Sequence, residues 1–380
     1  MSKAISVTAA MHACRNLPIS IPVKAVGKTV YTGLRDISNG NLMPAQVMED
    51  CGQSSYCWIL KDLPVGETRE YEFISTKEVP DSEITLVETN SKIEFQINGD
   101  LFTTYHYGKE YARPFLYPVI GPGGKGVTRG YPIEPDVPGE TKDHPHHKSI
   151  WVAHGDVNGA DDWSELEGHA SIIHRRFGET SSGPVFARLK ALNDWVDNQG
   201  KKIMEEERII TVYNLPDTGR MIDFRIVFHT TECDVKFGDT KEGGILSVRV
   251  ATSMDGNKGG LITNSFGGLT EAETWGKRAH WCDYSGLVDG RTMGITVFDH
   301  PGNFRYPTYW HIRDYGLMTA NPFALSAYKN DASTDGGHVV KLGESFRFAY
   351  RVYVHDQSAE DGKVSEQYHG YVSPPAIALK

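Results

Sequence analysis

Length, composition and charge limit what this chain can be. It has 380 residues, of which 39% are hydrophobic and 11% aromatic, with 39 glycines and 19 prolines. This mixture is typical of a turn-rich globular β protein with one large domain or two unequal ones. A formal net charge of −10 without a Lys/Arg run argues against a nucleic-acid partner. No apolar stretch approaches the ~20 residues that cross a bilayer, so we expect no membrane partner.

The N-terminal segment bears on the cellular location. Residues 1–21, MSKAISVTAAMHACRNLPISI, form a poor secretory signal because Thr8, His12 and Arg15 interrupt a short apolar run. We therefore expect a cytoplasmic protein, or a periplasmic one if the natural chain carries a leader that is removed.

Alternating or β-branched runs bounded by turn residues predict strands along almost the whole chain. In the first part of the chain the predicted strands are Ile5–Val7, Ile19–Val23, Tyr56–Leu60, Glu70–Ile74, Ile84–Glu88, Lys92–Ile97 and Leu101–Tyr107. The later ones are Ser149–Ala153, Val185–Trp195, Ile203–Tyr213, Met221–Thr230, Ile245–Thr252, Gly294–Asp299, Trp310–Arg313 and Ser345–His355. Several approach ten residues, whereas globular strands more often have 5–6.

Helical periodicity is scarce. Ser358–His369 is the best helical candidate, and a short helix is expected at Pro44–Met48. Long antiparallel strands joined by tight turns imply large twisted sheets that pack face to face. We therefore predict an all-β fold.

A polar segment with one proline, EVPDSE at 78–83, is the visible domain boundary. The strands before this segment are short, and those after it are longer. The prediction is a small N-terminal β-sandwich over residues 1–77, followed by a large antiparallel β-sandwich over residues 78–380 that carries the site.

Residues 143–163, DHPHHKSIWVAHGDVNGADDW, concentrate side chains that carry chemistry. The segment holds four of only 15 histidines in the chain, namely His144, His146, His147 and His154. Its other candidates are Trp151, Asp162 and Trp163. Imidazole exchanges a proton near neutral pH, a nearby carboxylate can orient the ring, and an indole face suits a sugar.

The histidines leave two interpretations open. They could transfer protons, or two or three of them could hold a divalent metal ion, for which the candidates are His144, His146 and His154. The His-x-His spacing is compatible with chelation from a strand, but no complete ligand set can be identified. The sequence therefore assigns no cofactor with certainty.

Four other segments contain the same residue types. Arg113 precedes a proline in an aromatic run, which restricts its backbone to extended conformations and could direct the guanidinium towards a pocket. Glu242 precedes two glycines at the start of a predicted strand, where a general base is plausible. The remaining candidates are His300, Trp310, His311, Arg313 and Asn321. We expect these segments and the histidine cluster to meet in one groove.

Several motifs resemble a known family. The run from Arg113 to Trp163 resembles the signature of the bacterial family long mislabelled "methane oxygenase PmoA", and KEGGILSVRVA, DHPGNFRYPTYWHIRDYG and ANPF resemble its later motifs. The resemblance covers residues 84–355. It implies a β-supersandwich similar to galactose mutarotase and to several polysaccharide lyases. It also implies a setting among sugar-catabolic genes, often beside sugar dehydrogenases of the Gfo/Idh/MocA type.

The first functional hypothesis is a carbohydrate-active enzyme with a small-molecule sugar substrate. It would cleave a glycoside by acid–base elimination or by hydrolysis, and a keto-glycoside would be the easier substrate because its neighbouring proton is acidified. The catalytic candidates are His146, His147, His154, Glu242, His300 and His311. The substrate-binding candidates are Arg113, Trp151, Asp162, Trp163, Trp310, Arg313 and Asn321.

Three alternatives stay open. A mutarotase or epimerase would use a similar acid–base pair. A non-catalytic carbohydrate-binding protein would need the aromatic side chains without titratable groups. A metal-dependent oxygenase would need a His/His/carboxylate triad. The oligomeric state is not indicated by any pattern in the sequence.

Overall fold

The computed structural model describes residues 3–27, 31–50, 52–75 and 83–380, and within them the regular secondary structure is mostly antiparallel strands. The predicted all-β fold is confirmed: a small N-terminal pair of sheets is followed by a large antiparallel sandwich. The predicted boundary at 78–83 falls mostly on residues 76–82, which lie outside the described residues. The division at residue 77 therefore stays a prediction.

Two sheets form the N-terminal part. The five-stranded sheet, in the order β27-β1-β7-β3-β4, consists of β1 (Ala4–Thr8), β3 (Gly33–Asp36), β4 (Leu42–Pro44), β7 (Thr68–Ile74) and β27 (Ala376–Leu379). The three-stranded sheet consists of β2 (Leu17–Pro22), β5 (Gln46–Asp50) and β6 (Gln53–Leu60), with β6 in the centre. Alternate residues of both sheets, such as Ile5, Ile19, Trp58 and Phe73, are buried in one hydrophobic core. The C-terminal strand β27 closes this sheet beside β1.

A nine-stranded sheet forms one layer of the large sandwich. Its strands are β8 (Ile84–Thr89), β9 (Lys92–Ile97), β10 (Asp100–His106), β11 (Phe115–Gly121), β12 (Lys125–Gly126), β13 (Ile150–His154), β19 (Gly243–Arg249), β23 (Trp310–Arg313) and β24 (Leu317–Ala320). Their order is β23-β24-β19-β13-β11-β10-β9-β8, with β12 paired to β11.

An eight-stranded sheet forms the other layer. Its strands are β14 (Ser171–Ser181), β15 (Phe186–Val196), β16 (Lys202–Tyr213), β17 (Gly219–His229), β20 (Leu261–Asn264), β21 (Trp281–Val288), β22 (Arg291–Asp299) and β26 (Ser345–Asp356). Their order is β14-β15-β16-β17-β26-β22-β21-β20. A separate two-stranded sheet pairs β18 (Val235–Phe237) with β25 (His338–Val340). The short helices are α1 (Val23–Val26), α2 (Thr270–Thr274), α3 (Leu325–Tyr328) and α4 (Val364–Val372).

The main core lies between the two large sheets. Alternation along each strand sends every second side chain inward, as with Phe348, Tyr350, Val352 and Val354 of β26. The opposing layer contributes residues such as Leu116, Ile150, Val248 and Met318. The other face of the nine-stranded sheet carries a smaller cluster that includes Phe115, Trp151, Trp163 and Leu317. This second face carries the polar residues described below.

The two parts of the chain are joined through Gln46. Its Oε1 accepts hydrogen bonds from the backbone N–H groups of Val185, at 3.0 Å, and Phe186, at 3.1 Å. Its Nε2 donates to the carbonyl oxygen of Phe186 at 3.1 Å. A third apolar cluster joins β6 to the outer face of the eight-stranded sheet and to α4.

Two helical predictions are corrected. No helix forms at Pro44–Met48, because β4 ends at Pro44 and β5 pairs with β6 from Gln46 onward. The predicted helix Ser358–His369 is Val364–Val372 instead, since residues 358–363 are turns and Lys363 has a positive φ of 57°.

Candidate functional site

One row of side chains crosses the outer face of the nine-stranded sheet. Paired residues place His106, Phe115, Trp151, Ser247, Thr319 and His311 next to one another on successive strands. At a strand spacing of about 4.8 Å the row spans about 24 Å. The segment 127–149 and the turn between β23 and β24 add the charged and aromatic groups of the site.

Backbone pairing brings two arginines together at the edge of this row. The N–H of Arg249, the last residue of β19, donates to Ser149 at 2.7 Å, and the N–H of Arg129 donates to the Arg249 carbonyl at 3.2 Å. Both guanidinium side chains are fully buried. Arg249 Nη2 donates to Asp143 Oδ1 at 2.8 Å, and Arg129 Nη1 donates to the same oxygen. Two buried cations therefore hold one carboxylate.

The other oxygen of Asp143 binds a histidine. His144 Nδ1 donates to Asp143 Oδ2 at 2.9 Å. Burial acts to raise the pKa of Asp143, but Arg249, the hydrogen bond from His144 and Arg129 together hold it below the usual value. Because a carboxylate only accepts, the proton of a neutral His144 ring lies on Nδ1 and Nε2 carries the free lone pair. This carboxylate–imidazole pair is a suitable general base.

His144 is held in an unusual conformation. Its φ is +42°, in the left-handed region that residues other than glycine seldom adopt. Its side chain remains 40% exposed and stacks on Tyr315, with ring centroids 4.8 Å apart and planes 10° apart. Backbone strain of this kind is more frequent at functional sites than elsewhere.

His147 has a different environment. It is 1% exposed, and Arg249 Nη1 lies 3.2 Å from its Nδ1. Because a guanidinium only donates, Nδ1 is the acceptor and the ring proton lies on Nε2. Burial, with the nearby charges of His146 and Arg249, lowers the pKa of His147 well below its usual value. The ring is therefore neutral at physiological pH and can act as an uncharged N–H donor.

Tyr315 lies between the cationic groups in the turn that joins β23 and β24. The guanidinium carbons of Arg249 and Arg313 lie 5.0 and 5.4 Å from the centre of its ring. Burial raises the pKa of Tyr315 to about 12, against the opposing effect of these two cations. Its hydroxyl therefore keeps a proton that it can donate.

Arg113 has a supporting position behind the histidine segment. It is 2% exposed, and it donates to Glu165 Oε1 at 2.8 Å, to the His146 carbonyl at 3.3 Å and to the Trp163 carbonyl at 2.9 Å. Lys148 Nζ donates to the second oxygen of Glu165. Nη1 and Nη2 are engaged and Nε has no hydrogen-bond partner among the described residues. The buried guanidinium fixes the loop and does not face a ligand. Burial lowers the pKa of His146 to about 4.

His311 is the last residue of the row, on β23, and Glu242 follows Lys241, whose carbonyl His311 contacts. The Glu242 side chain is 52% exposed and pairs with Lys241 at 3.0 Å, and its charge raises the pKa of both Tyr315 and His311. His311 Nδ1 donates to the Lys241 carbonyl at 2.5 Å. Burial nevertheless lowers the pKa of His311 to about 4, and Nε2 has no hydrogen-bond partner among the described residues.

The structure does not bring His154 into this groove. The ring is fully buried, with its centroid 4.9 Å from that of Phe323 and 5.8 Å from that of Phe237, and Nε2 donates to the Gly238 carbonyl at 3.0 Å. Burial lowers its pKa to about 4. A methyl group on Gly243, which has a φ of +149°, would lie 2.7 Å from His154 Nδ1. The glycine that follows Glu242 therefore leaves the space that the His154 ring occupies.

Asp162 also lies in the interior. It is 1% exposed, and neither of its oxygens has a hydrogen-bond partner among the described residues. Burial raises the pKa of Asp162 well above its usual value. Asn321 is fully buried and connects two backbone segments, because Nδ2 donates to the Thr240 carbonyl at 3.0 Å and Oδ1 accepts from Phe323 at 2.9 Å.

The three candidate tryptophans do not present free faces. Trp151 and Trp163 are each 1% exposed, and their ring centroids lie 5.3 and 5.4 Å from that of His147. Trp310 is in the main core, where Nε1 donates to the Ala279 carbonyl at 2.9 Å. The first two indoles support His147 instead of exposing a surface on which a sugar could stack.

His300 lies on another side of the molecule. Its Nδ1 accepts from the backbone of Gly302 at 3.0 Å, and its ring lies 5.4 Å from that of Tyr371 in α4. The charges that act on it are those of Asp223 and Arg351, which belong to the eight-stranded sheet. The expected convergence therefore holds for the residues around His144 and Tyr315 and does not extend to His300.

The proposed metal ligands are not arranged for chelation. Among the described residues no group of three His, Cys, Asp or Glu side chains is placed to hold a metal ion. The His144 and His146 rings are 5.8 Å apart, but His154 packs among phenylalanines on the core side of the sheet.

Sequence reasoning missed four residues of the site: Arg129, Asp143, Arg249 and Tyr315. Asp143 adjoins His144 in sequence, so the pair could have been suggested from the Asp-His step alone. The arginines lie 120 residues apart and carry no local signal. They meet only because the backbone after β12 pairs with the end of β19.

A match to a protein-family model shows which family this chain belongs to. A model described as a family of unknown function, DUF6807, matches residues 92–369. The chain belongs to this family. The match covers the large sandwich except its first strand, β8, and it includes all of the site residues described above.

Other comparisons with the DUF6807 chain add little. It is similar to the crystal structure of a GalM/aldose epimerase homologue from C. elegans, with 8% identity, a TM-score of 0.29, and coverage of 73% of this chain and 100% of that one. No curated protein matches the chain. Within the described part of the DUF6807 chain, no helix is both long and apolar enough to span a membrane.

Proposed function

We propose that this protein is a carbohydrate-active enzyme that cleaves a small glycoside by proton transfer. The observation that carries the proposal is the hydrogen-bonded pair of Asp143 and His144, which adjoins a neutral His147, a buried Arg249 and a protonated Tyr315. These groups supply a base, an uncharged donor, a cation and an acid within one face of the sheet. The sugar-catabolic setting implied by the sequence resemblance supports a carbohydrate substrate.

His144 is the proposed base. With Nδ1 donating to Asp143, the lone pair on Nε2 is free to take a proton from carbon, and the carboxylate stabilises the imidazolium that forms. The ring is part-exposed, unlike His147 and His154, so a substrate can reach it.

The substrate class follows from the partners of His144. Removing a proton from carbon is easiest beside a carbonyl group, where the developing negative charge moves to oxygen. The positive charge of Arg249, which lies behind His147, would stabilise that oxygen. A keto-glycoside therefore fits better than a simple glycoside, whose corresponding proton is far less acidic.

Tyr315 is the proposed acid. In the elimination, the C–H bond breaks to His144, a C=C bond forms, and the C–O bond to the leaving group breaks. The departing oxygen takes its proton from the Tyr315 hydroxyl, whose pKa of about 12 keeps it protonated until then. Hydrolysis by two carboxylates is less well supported, because Asp143 is already engaged by two arginines and a histidine.

The test is a product analysis of the purified protein with simple glycosides and their 3-keto derivatives in deuterium oxide. Release of the leaving group with an unsaturated sugar product indicates elimination. Deuterium incorporation with inversion but without cleavage indicates epimerisation instead. Binding of the sugars without cleavage or deuterium exchange would leave a carbohydrate-binding protein and contradict the proposed enzyme.

A further inference from the structure

Asp255 lies directly behind the turn that carries Tyr315. It sits between the short 3-10 turns Thr252–Met254 and Gly256–Lys258. Gly316 has a φ of +94°, and a methyl group at its position would collide with Asp255 Oδ1 and lie 3.4 Å from Arg249 Nε. The carboxyl group of Asp255 and the guanidinium of Arg249 therefore flank the same glycine.

Both groups have unused hydrogen-bonding capacity. Asp255 is 1% exposed. Among the described residues, neither of its oxygens has a hydrogen-bond partner, and neither does the buried Nε–H of Arg249. Buried polar groups without hydrogen-bond partners are uncommon in folded proteins. Here a donor and an acceptor lie close to each other without bonding, so a small movement can join them.

We propose that Asp255 is a positioning residue whose ionisation controls how Arg249 is shared between the two sides of the site. When Asp255 is neutral, Arg249 donates a hydrogen bond to His147 through Nη1 and another to Asp143 through Nη2. These are the two hydrogen bonds in the structure. When Asp255 is ionised, its carboxylate attracts the Nε side of the same guanidinium. The positive potential at His147 and in the groove then falls.

The surroundings of Asp255 place this change near neutral pH. Burial raises the pKa of Asp255 to about 7, with Arg249, Lys258 and Arg129 acting to lower it and Asp143 acting to raise it. Tyr284 also faces it, and the pKa of that phenol is raised well above its usual value, so it stays neutral. Asp255 is therefore mainly neutral below pH 7 and mainly ionised above it.

The test compares Asp255→Asn with Asp314→Asn. Asp314 is a matched control, because it is an exposed carboxylate in the turn that contains Gly316. Histidine ring ¹⁵N shifts are recorded from pH 5 to 9 in the wild type and in both variants. We expect the His147 signals to show an inflection near pH 7 in the wild type and in Asp314→Asn, and none in Asp255→Asn. An inflection that persists in Asp255→Asn, or disappears in Asp314→Asn as well, overturns the proposal.

A measurement on the wild-type protein keeps the test decisive if Asp255→Asn does not fold. Aspartate-selective ¹³C labelling reports the ionisation of the Asp255 carboxyl directly. We expect it to share the inflection pH of the His147 ring, and two unrelated inflections contradict the proposal.

The proposal deepens the proposed function, but its NMR readout does not depend on turnover. If glycosides are also cleaved, we expect kcat/KM to decrease above pH 7 in the wild type and not in Asp255→Asn. If the Asp255 and His147 signals share an inflection but no glycoside is turned over, only the proposed function is contradicted. If glycosides are turned over but the two signals do not share an inflection, only the role of Asp255 is contradicted.

Discussion

Arg249 donates a hydrogen bond to Nδ1 of His147 across 3.2 Å, and this contact fixes the proton of that histidine on Nε2. The same guanidinium binds the carboxylate of Asp143, which in turn orients His144. One buried cation thus determines the state of both histidines. The site is better described as a network around Arg249 than as a cluster of histidines.

Replacing Arg249 by glutamine is expected to affect both stability and activity. The change leaves Asp143 with one fewer cationic partner and His147 with a weaker donor. Removing one partner of a fully buried ion pair costs about 3–5 kcal/mol in the free energy of unfolding. Because Asp143 is 38% exposed and keeps Arg129, we expect a smaller loss, which urea denaturation measures. Arg175→Gln is the control, because its side chain is 48% exposed and its ion pairs lie at the surface. Equal losses in both variants would show that the Arg249 network contributes nothing special.

The Asp143–His144 pair makes a prediction about catalysis. His144→Ala is expected to lower kcat by about 10²–10⁴-fold, the usual contribution of a general base. Asp143→Asn should give a smaller loss of kcat with a changed pH profile, because the amide can no longer stabilise an imidazolium. His300→Ala should leave kcat unchanged, since that ring lies against α4. A full loss in His300→Ala with normal His144→Ala activity would invalidate the site.

His154 makes a prediction about acid stability. Its pKa is about 4 in the folded protein because of burial, below the usual 6.5. A group with a depressed folded-state pKa contributes stability above the unfolded value, and that stability is lost as the pH falls through the folded one. The difference corresponds to about 3 kcal/mol, lost between pH 6.5 and 4. His154→Phe should flatten the decrease in the free energy of unfolding over this range. Identical slopes for variant and wild type would contradict this account.

Variants of Trp163 test whether its indole supports His147 or stacks on a sugar substrate. Because the ring is 1% exposed and contacts His147, we expect Trp163→Phe to lower kcat more than it raises KM. Trp163→Ala should reduce the free energy of unfolding by about 3–5 kcal/mol through the cavity it leaves. A large rise in KM at unchanged kcat and stability would instead show that the indole contacts the substrate.

The strands were largely predictable because alternation of apolar and polar residues is a local property. Val185–Trp195 and Ser345–His355, for example, lie close to the observed β15 and β26. Twelve strands in the described part of the chain escaped prediction, and most of them are short; the two longest of the twelve are Ser171–Ser181 and Trp281–Val288. Ser171–Ser181 is a polar edge strand with weak alternation. Trp281–Val288 contains Asp283, a buried carboxylate that His355 contacts at 2.8 Å, so its polar character follows from a partner 72 residues away.

The candidate site was only partly predictable for the same reason. The density of histidine in residues 143–163 directed attention to the right segment, and His144, His146 and His147 do lie together. Which of these rings is exposed, and where its proton lies, depends on burial and on partners supplied by other strands. No pattern in the sequence distinguishes His144 from His154.

By itself, the sequence determined the all-β class and the segment that contains the histidines, because both depend on neighbouring residues and on the two-residue period of a strand. Only the tertiary structure decided that Arg129 and Arg249 meet at Asp143, and that the tryptophans and His154 are enclosed. Strand pairing joins residues more than a hundred positions apart, and burial then sets the protonation of each group, so neither can be obtained from local pattern.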